Sequence, residues 1–168
     1  GGTVQFNCPF PEPLYSANDA SLYQDYLASV SHWQQSNQPY SERRFSDAHA
    51  FPEDAQMLSR KGLVIVGSVR LTKAAQQFAE KLGWPLLCDP QSGISSEWAH
   101  FDLWLQNSTA KALLDECEQV VQFGSRIVSK RLNHWLEQHV RRSNAHYCYV
   151  SPAPDRNNQS HLPQQHWV

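Results

Sequence analysis

Between Glu118 and Val140 the apolar positions change period, and the rest of the chain is organised around that change. Val120, Val121 and Phe123 crowd together as in a buried strand. Gly124-Ser125 breaks the run, and Leu132, Trp135, Leu136 and Val140 then recur at helical spacing. An apolar burst followed by a helical stripe predicts strand, tight turn and helix, the repeating unit of an α/β fold. Ser125 is the expected N-cap, because its hydroxyl can accept a bond from an unpaired N–H of the first turn. Lys130 and Arg131 then fall one turn into the helix, with Arg131 on the border of its apolar face.

The same alternation extends on both sides. GLVIVGS from Gly62 is a β-branched run bounded by glycines, as expected of a strand buried on both faces. Thr72 can cap a helix whose apolar face is Ala75, Phe78, Ala79 and Leu82, and Gly83 should end it. WPLLCD reads as a short strand, and DPQSGISSE as a loop leading to FDLWLQN. Thr109 to Cys117 reads as a helix and HYCYVS as the last strand. Nearer the start, Val4, Phe6 and Cys8 alternate as in an edge strand that Pro9, Pro11 and Pro13 would stop. Ser16 to Ala20 supply cap residues for a helix carrying Leu22, Tyr26, Leu27, Val30 and Trp33. Residues 34–59 read as a polar surface connection with a short helix near Pro52–Leu58, and the tail from Pro152 has no strong pattern.

Four β-rich runs alternating with helices predict a three-layer, doubly wound, mostly parallel sheet with right-handed crossovers, a Rossmann-like α/β fold. With 168 residues and 40% apolar content the chain is expected to be one domain. Its parts would be an opening segment and helix over 1–34, a connection over 35–60 and the α/β core over 61–168. The start at Gly1-Gly2, without Met, suggests a piece excised from a longer protein.

Composition narrows the function. A net charge of -2 and 14 scattered Lys and Arg provide no basic field for nucleic acid. No apolar run approaches the roughly 20 residues of a membrane span. Cys8, Cys88, Cys117 and Cys148 lie far apart, as expected of reduced thiols in a cytoplasmic protein. The eight histidines form neither H-x-x-x-H nor H-E-x-x-H, so no metal site is expected. GSVRLTKAA after the first strand lacks both G-x-G-x-x-G and G-x-x-x-x-G-K-[ST], which argues against a dinucleotide or P-loop site. No G-x-S-x-G elbow is present, and Asp115-Glu116 reads as a solvated helix end. Lys130 and Arg131 remain: solvated helix charges on one reading, and on the other a pair holding an anion near the carboxyl end of a parallel strand.

In order and at their intervals, FNCPFPEPLY, LGWPLLCD, DLWLQN, VVQFGS and SKRLNHW resemble the central domain of the thiamine diphosphate-dependent synthases of menaquinone biosynthesis. The resemblance covers nearly the whole chain and is weakest over 34–60 and after Pro152. It implies a three-domain cytoplasmic, homo-oligomeric enzyme that decarboxylates 2-oxoglutarate and adds the succinyl carbanion to isochorismate. It also implies that Lys130 and Arg131 bind substrate. Thiamine diphosphate and Mg would be held by the N- and C-terminal domains, and none by this one, which would be inactive alone. Arg126, and Ser151-Pro152 where relatives carry acidic residues, depart from the family pattern. The alternative from another class is a stand-alone Rossmann-like module binding a small anion or nucleotide.

Overall fold

The computed structural model describes residues 3–9, 21, 24–44, 59–70, 72–153 and 157–167. The chain divides into two compact units, 1–38 and 39–168. In the first unit α1 (Gln24–Gln34) is the helix expected there, and the indole N–H of Trp33 donates to Gln38 O just beyond its end (2.9 Å). The cap residues 16–20 and the helix near 52–58 lie outside the described residues. Residues 3–9 hold no strand, contrary to expectation. Val4 and Phe6 are exposed, and alternation makes a strand only where a neighbour supplies a ladder and covers one face.

In the second unit six strands form one sheet, and every pair is parallel. They are β1 (Ser41–Arg44), β2 (Gly62–Val66), β3 (Leu86–Cys88), β4 (Gln119–Phe123), β5 (His146–Val150) and β6 (Gln164–Trp167), in the order β1-β6-β5-β4-β2-β3. The helices are α2 (Thr72–Leu82), α3 (Phe101–Trp104), α4 (Ser108–Leu114) and α5 (Lys130–Ser143), with a 3₁₀ turn at Pro90–Ser92. The three-layer α/β expectation therefore holds. Alternate residues of the strands face opposite layers. Leu63, Ile65, Leu87, Val120 and Tyr147 pack with Leu132, Trp135, Leu136 and Val140 of α5. Val64, Val66, Leu86, Val121 and Phe123 pack with Ala75 and Ala79 of α2.

All five residues of β2 and all five of β4 are buried, as their apolar runs require. The two glutamines of β4 are tolerated there because each is bonded. Gln119 accepts from Arg60 (3.1 Å), and Gln122 accepts from the Tyr147 hydroxyl (2.6 Å) while donating to Gly124 O (3.0 Å). Edge strand β3 is not left open, since the Ser96 hydroxyl donates to Leu86 O.

Two strands were invisible to the apolar pattern. β1 reads SERR and β6 reads QQHW, where a connection and a patternless tail were expected. Both pair through backbone groups that any side chain leaves available. Helix bounds also shift. Thr72 is the first residue of α2 rather than its cap, and α4 spans Ser108–Leu114, capped by Asn107, instead of Thr109 to Cys117. Asp115 and Glu116 are engaged rather than simply solvated: Asp115 accepts from Trp135 (2.7 Å) and Lys111 (2.6 Å), and Glu116 from Lys61 (2.6 Å). The four cysteines are free thiols, Cys8 exposed and the others buried. Burial pushes the Cys88 thiol up, and the Cys117 thiol up to about 12.

Val64 is fully buried between β3 and β4. An unpaired carboxylate there costs several kcal/mol, comparable to the roughly 5–15 kcal/mol stability of a whole domain. Val64→Asp should therefore be insoluble on expression; a soluble variant with unchanged melting temperature would contradict this packing.

Candidate anion site at the start of α5

The chain leaves β2 toward β3 on one side and leaves β4 toward β5 on the other, so the sheet's switch point lies at the carboxyl ends of β2 and β4. Two loop backbones fill it. Gly67 N donates to Phe123 O (2.8 Å) and Ser125 N to Ser68 O (3.3 Å). A Cβ at Gly67 would lie 2.2 Å from Arg126 O, and one at Gly124 2.5 Å from Ser68 O. Gly124 also holds φ at +81°, a conformation that side chains disfavour. Where a dinucleotide would need an open crevice, this fold has backbone against backbone.

The open space lies on the α5 side, in a cavity of about 730 Å³. Gln122 and Tyr147 are among its buried lining residues, joined by their hydrogen bond, and burial pushes the Tyr147 hydroxyl up. Arg126 and Lys130 bring positive charge to its lining, beside the amides of Asn133 and Asn158. Both amides are held in place. Asn133 donates to Ile127 O (2.8 Å) and Ser129 O (3.0 Å), and Asn158 donates to Leu162 O (2.6 Å) and accepts from Leu162 N (2.9 Å).

α5 begins later than its sequence suggests. Ser129, not Ser125, is the N-cap, accepting from Leu132 N (3.0 Å), and Lys130 and Arg131 are the first two helical residues. The reason is tertiary. Ser125 N is bound to Ser68 O, and Val128 N, the donor that a Ser125 cap would take, is bound instead to the buried carboxylate of Asp89 (2.6 Å). The second Asp89 oxygen accepts from Gln91 N (3.0 Å).

Consecutive helical residues point about 100° apart, and the two cations separate accordingly. Lys130 is exposed, lines the cavity and, among the described residues, has no carboxylate at ion-pair distance. Arg131 turns to Asp102 on α3, donating from one guanidinium nitrogen to Oδ2 at 2.7 Å. Arg131 thus has a carboxylate partner, and although it borders the apolar face of the helix its side chain is 53% exposed. Asp102 Oδ1 accepts from the Ser129 hydroxyl (2.5 Å). That bond, with Arg131 beside it, holds the Asp102 carboxyl below its ordinary range despite some opposing desolvation.

Asp89 and Asp102 were not singled out in the sequence. Asp89 had a readable signal, an Asp-Pro step directly after a strand. Asp102 had none, since its partners lie 27 and 29 residues away.

Residues 24–168 match a family model described as "Middle domain of thiamine pyrophosphate". The chain belongs to this family. The whole middle domain also aligns with curated proteins named "2-succinyl-5-enolpyruvyl-6-hydroxy-3-cyclohexene-1-carboxylate synthase". It is 53% identical to the one from Vibrio campbellii, 52% to one from Vibrio cholerae and 48% to that of Vibrio parahaemolyticus. In each case the alignment covers 100% of this chain and 30% of the relative, so the chain spans under a third of these proteins' length. The resemblance carried by the ordered segments is borne out, including its assignment to a central domain.

A carboxyl depressed on folding contributes stability that is present above its unfolded value, about pH 3.9 for Asp, and lost as pH falls through the folded value. Asp102→Asn should thus destabilise the chain at pH 7 by no more than about 1 kcal/mol, given solvent screening of so exposed a pair. The gap should narrow as pH is taken toward 2. Urea unfolding of both proteins across that range is the check, and a pH-independent gap would refute the assignment.

Proposed function

We propose that this middle domain belongs to a cytoplasmic, homo-oligomeric synthase of the kind its relatives are named for. In this reading the whole enzyme decarboxylates 2-oxoglutarate and adds the succinyl unit to isochorismate. The observation that carries the reading is identity near 50% to these synthases along the entire chain. Lys130 and Arg131 are the residues through which this domain takes part. Both substrates carry carboxylates, and two cations on the first turn of a helix, where backbone N–H groups add partial positive charge, suit their capture.

Thiamine diphosphate and magnesium belong, in this reading, to the other domains of the same polypeptide. The residues here do not fit them. Among the described residues no three His, Cys, Asp or Glu converge as a metal set, and the backbone at Gly67 and Gly124 fills the crevice where a diphosphate would lie. The domain's role is therefore to neutralise and orient substrate carboxylates and to wall the site, while proton and carbon chemistry takes place elsewhere in the enzyme. The same filled crevice disfavours a stand-alone nucleotide-binding module.

Two measurements test this. Calorimetric titration of this chain with thiamine diphosphate and Mg²⁺ should give no saturable binding. In the full-length enzyme, Lys130→Gln and Arg131→Gln should each lower kcat/KM by about one to two decades, the value of one charge-assisted contact of roughly 1.5–3 kcal/mol. Cofactor affinity should stay unchanged. Wild-type kcat/KM for both substrates in both variants would reduce the pair to solvated surface.

A further inference from the structure

We propose that Asp102 is a positioning residue, holding the Arg131 guanidinium in the orientation that receives a substrate carboxylate. The inference rests on the reading of Arg131 as a substrate-binding residue and adds to it the group that aims it. Arg131 is the second residue of α5, and its exposed side chain has many rotamers that binding would otherwise have to restrict. Asp102 uses its two oxygens on two different partners of the same helix start: Oδ1 on the Ser129 hydroxyl (2.5 Å) and Oδ2 on Arg131 (2.7 Å).

Neither end of this bridge is loose. Ser129 is fixed by its cap bond to Leu132 N (3.0 Å). Asp102 follows Phe101, which is buried in the same core cluster as Leu132 and Trp135. The core thus sets the carboxylate, and the carboxylate sets the guanidinium. One Arg131 N–H is committed to Asp102, and of the five a guanidinium carries the others remain for a ligand. Stability alone gives little reason for the pair, because ion pairs this exposed contribute little to folding.

The test is steady-state kinetics of the full-length enzyme with Asp102→Asn, Arg131→Gln and the double variant. Asp102→Asn is nearly isosteric at a side chain 40% exposed, so folding should survive. Unchanged thiamine diphosphate affinity in each variant checks this. Losing preorganisation of one long side chain should raise KM for the substrate that Arg131 contacts by about two- to tenfold, with kcat retained. In the Arg131→Gln background the same change should add nothing, because the group it aims is gone. If Arg131→Gln impairs the enzyme and Asp102→Asn leaves KM unchanged, the positioning role is wrong while the substrate reading stands. If the two losses multiply, Asp102 acts by some route other than Arg131, and the proposal falls. If Arg131→Gln is itself harmless, the substrate reading of Arg131 fails and the positioning role fails with it.

Discussion

At the carboxyl ends of β2 and β4 two backbones lie closer than side chains would permit, with the Cβ position of Gly67 2.2 Å from Arg126 O and that of Gly124 2.5 Å from Ser68 O. The layout of this edge of the sheet depends on that approach. Because the loop after β4 is pressed onto the loop after β2, it runs from Gly124 to Val128 before the Ser129 cap can start a helix, and it turns Arg126 and Lys130 toward the α5 side of the sheet. A fold whose switch point ordinarily offers a crevice has moved its open space to one flank.

Two aspartates then fasten the start of α5, and they do so under different dielectric conditions. Asp89 is fully buried and, among the described residues, bonds only backbone N–H groups through its side chain, so it acts as a fixed acceptor for a loop. Asp102 is half in solvent and bonds side chains, a hydroxyl and a guanidinium. Charge in the interior is worth more and costs more than charge at the surface. The buried acid thus ties down a loop, and the exposed one holds a side chain that solvent and a ligand can still reach.

How much of this was legible varied with the kind of signal. β2 to β5 could be read because each carries apolar residues that must be buried, and α2 and α5 because their stripes match the layers they cover. β1 and β6 could not, since SERR and QQHW contribute backbone bonds that no side-chain pattern announces. The candidate site was half visible. Lys130 and Arg131 stand out as adjacent cations near a helix start. Local capping chemistry points to Ser125 for that start, because it cannot register Ser68 or Asp89 drawing the N–H groups away. Asp102 lies hidden among the apolar residues of FDLWLQN, with nothing nearby in the chain to mark its two distant partners.

The three buried thiols give the folded chain a chemical property beyond packing. Only a thiolate reacts readily with alkylating or oxidising reagents, and burial pushes the Cys117 thiol up to about 12, which keeps it protonated at neutral pH. Cys88, Cys117 and Cys148 are also out of reach of a reagent in solution, whereas Cys8 is exposed. Modification thus proceeds on two clocks: a fast one at Cys8 that runs in the native state, and a slow one at the other three that advances only when the sheet opens. The sequence carries its own recorder of how often the core comes apart.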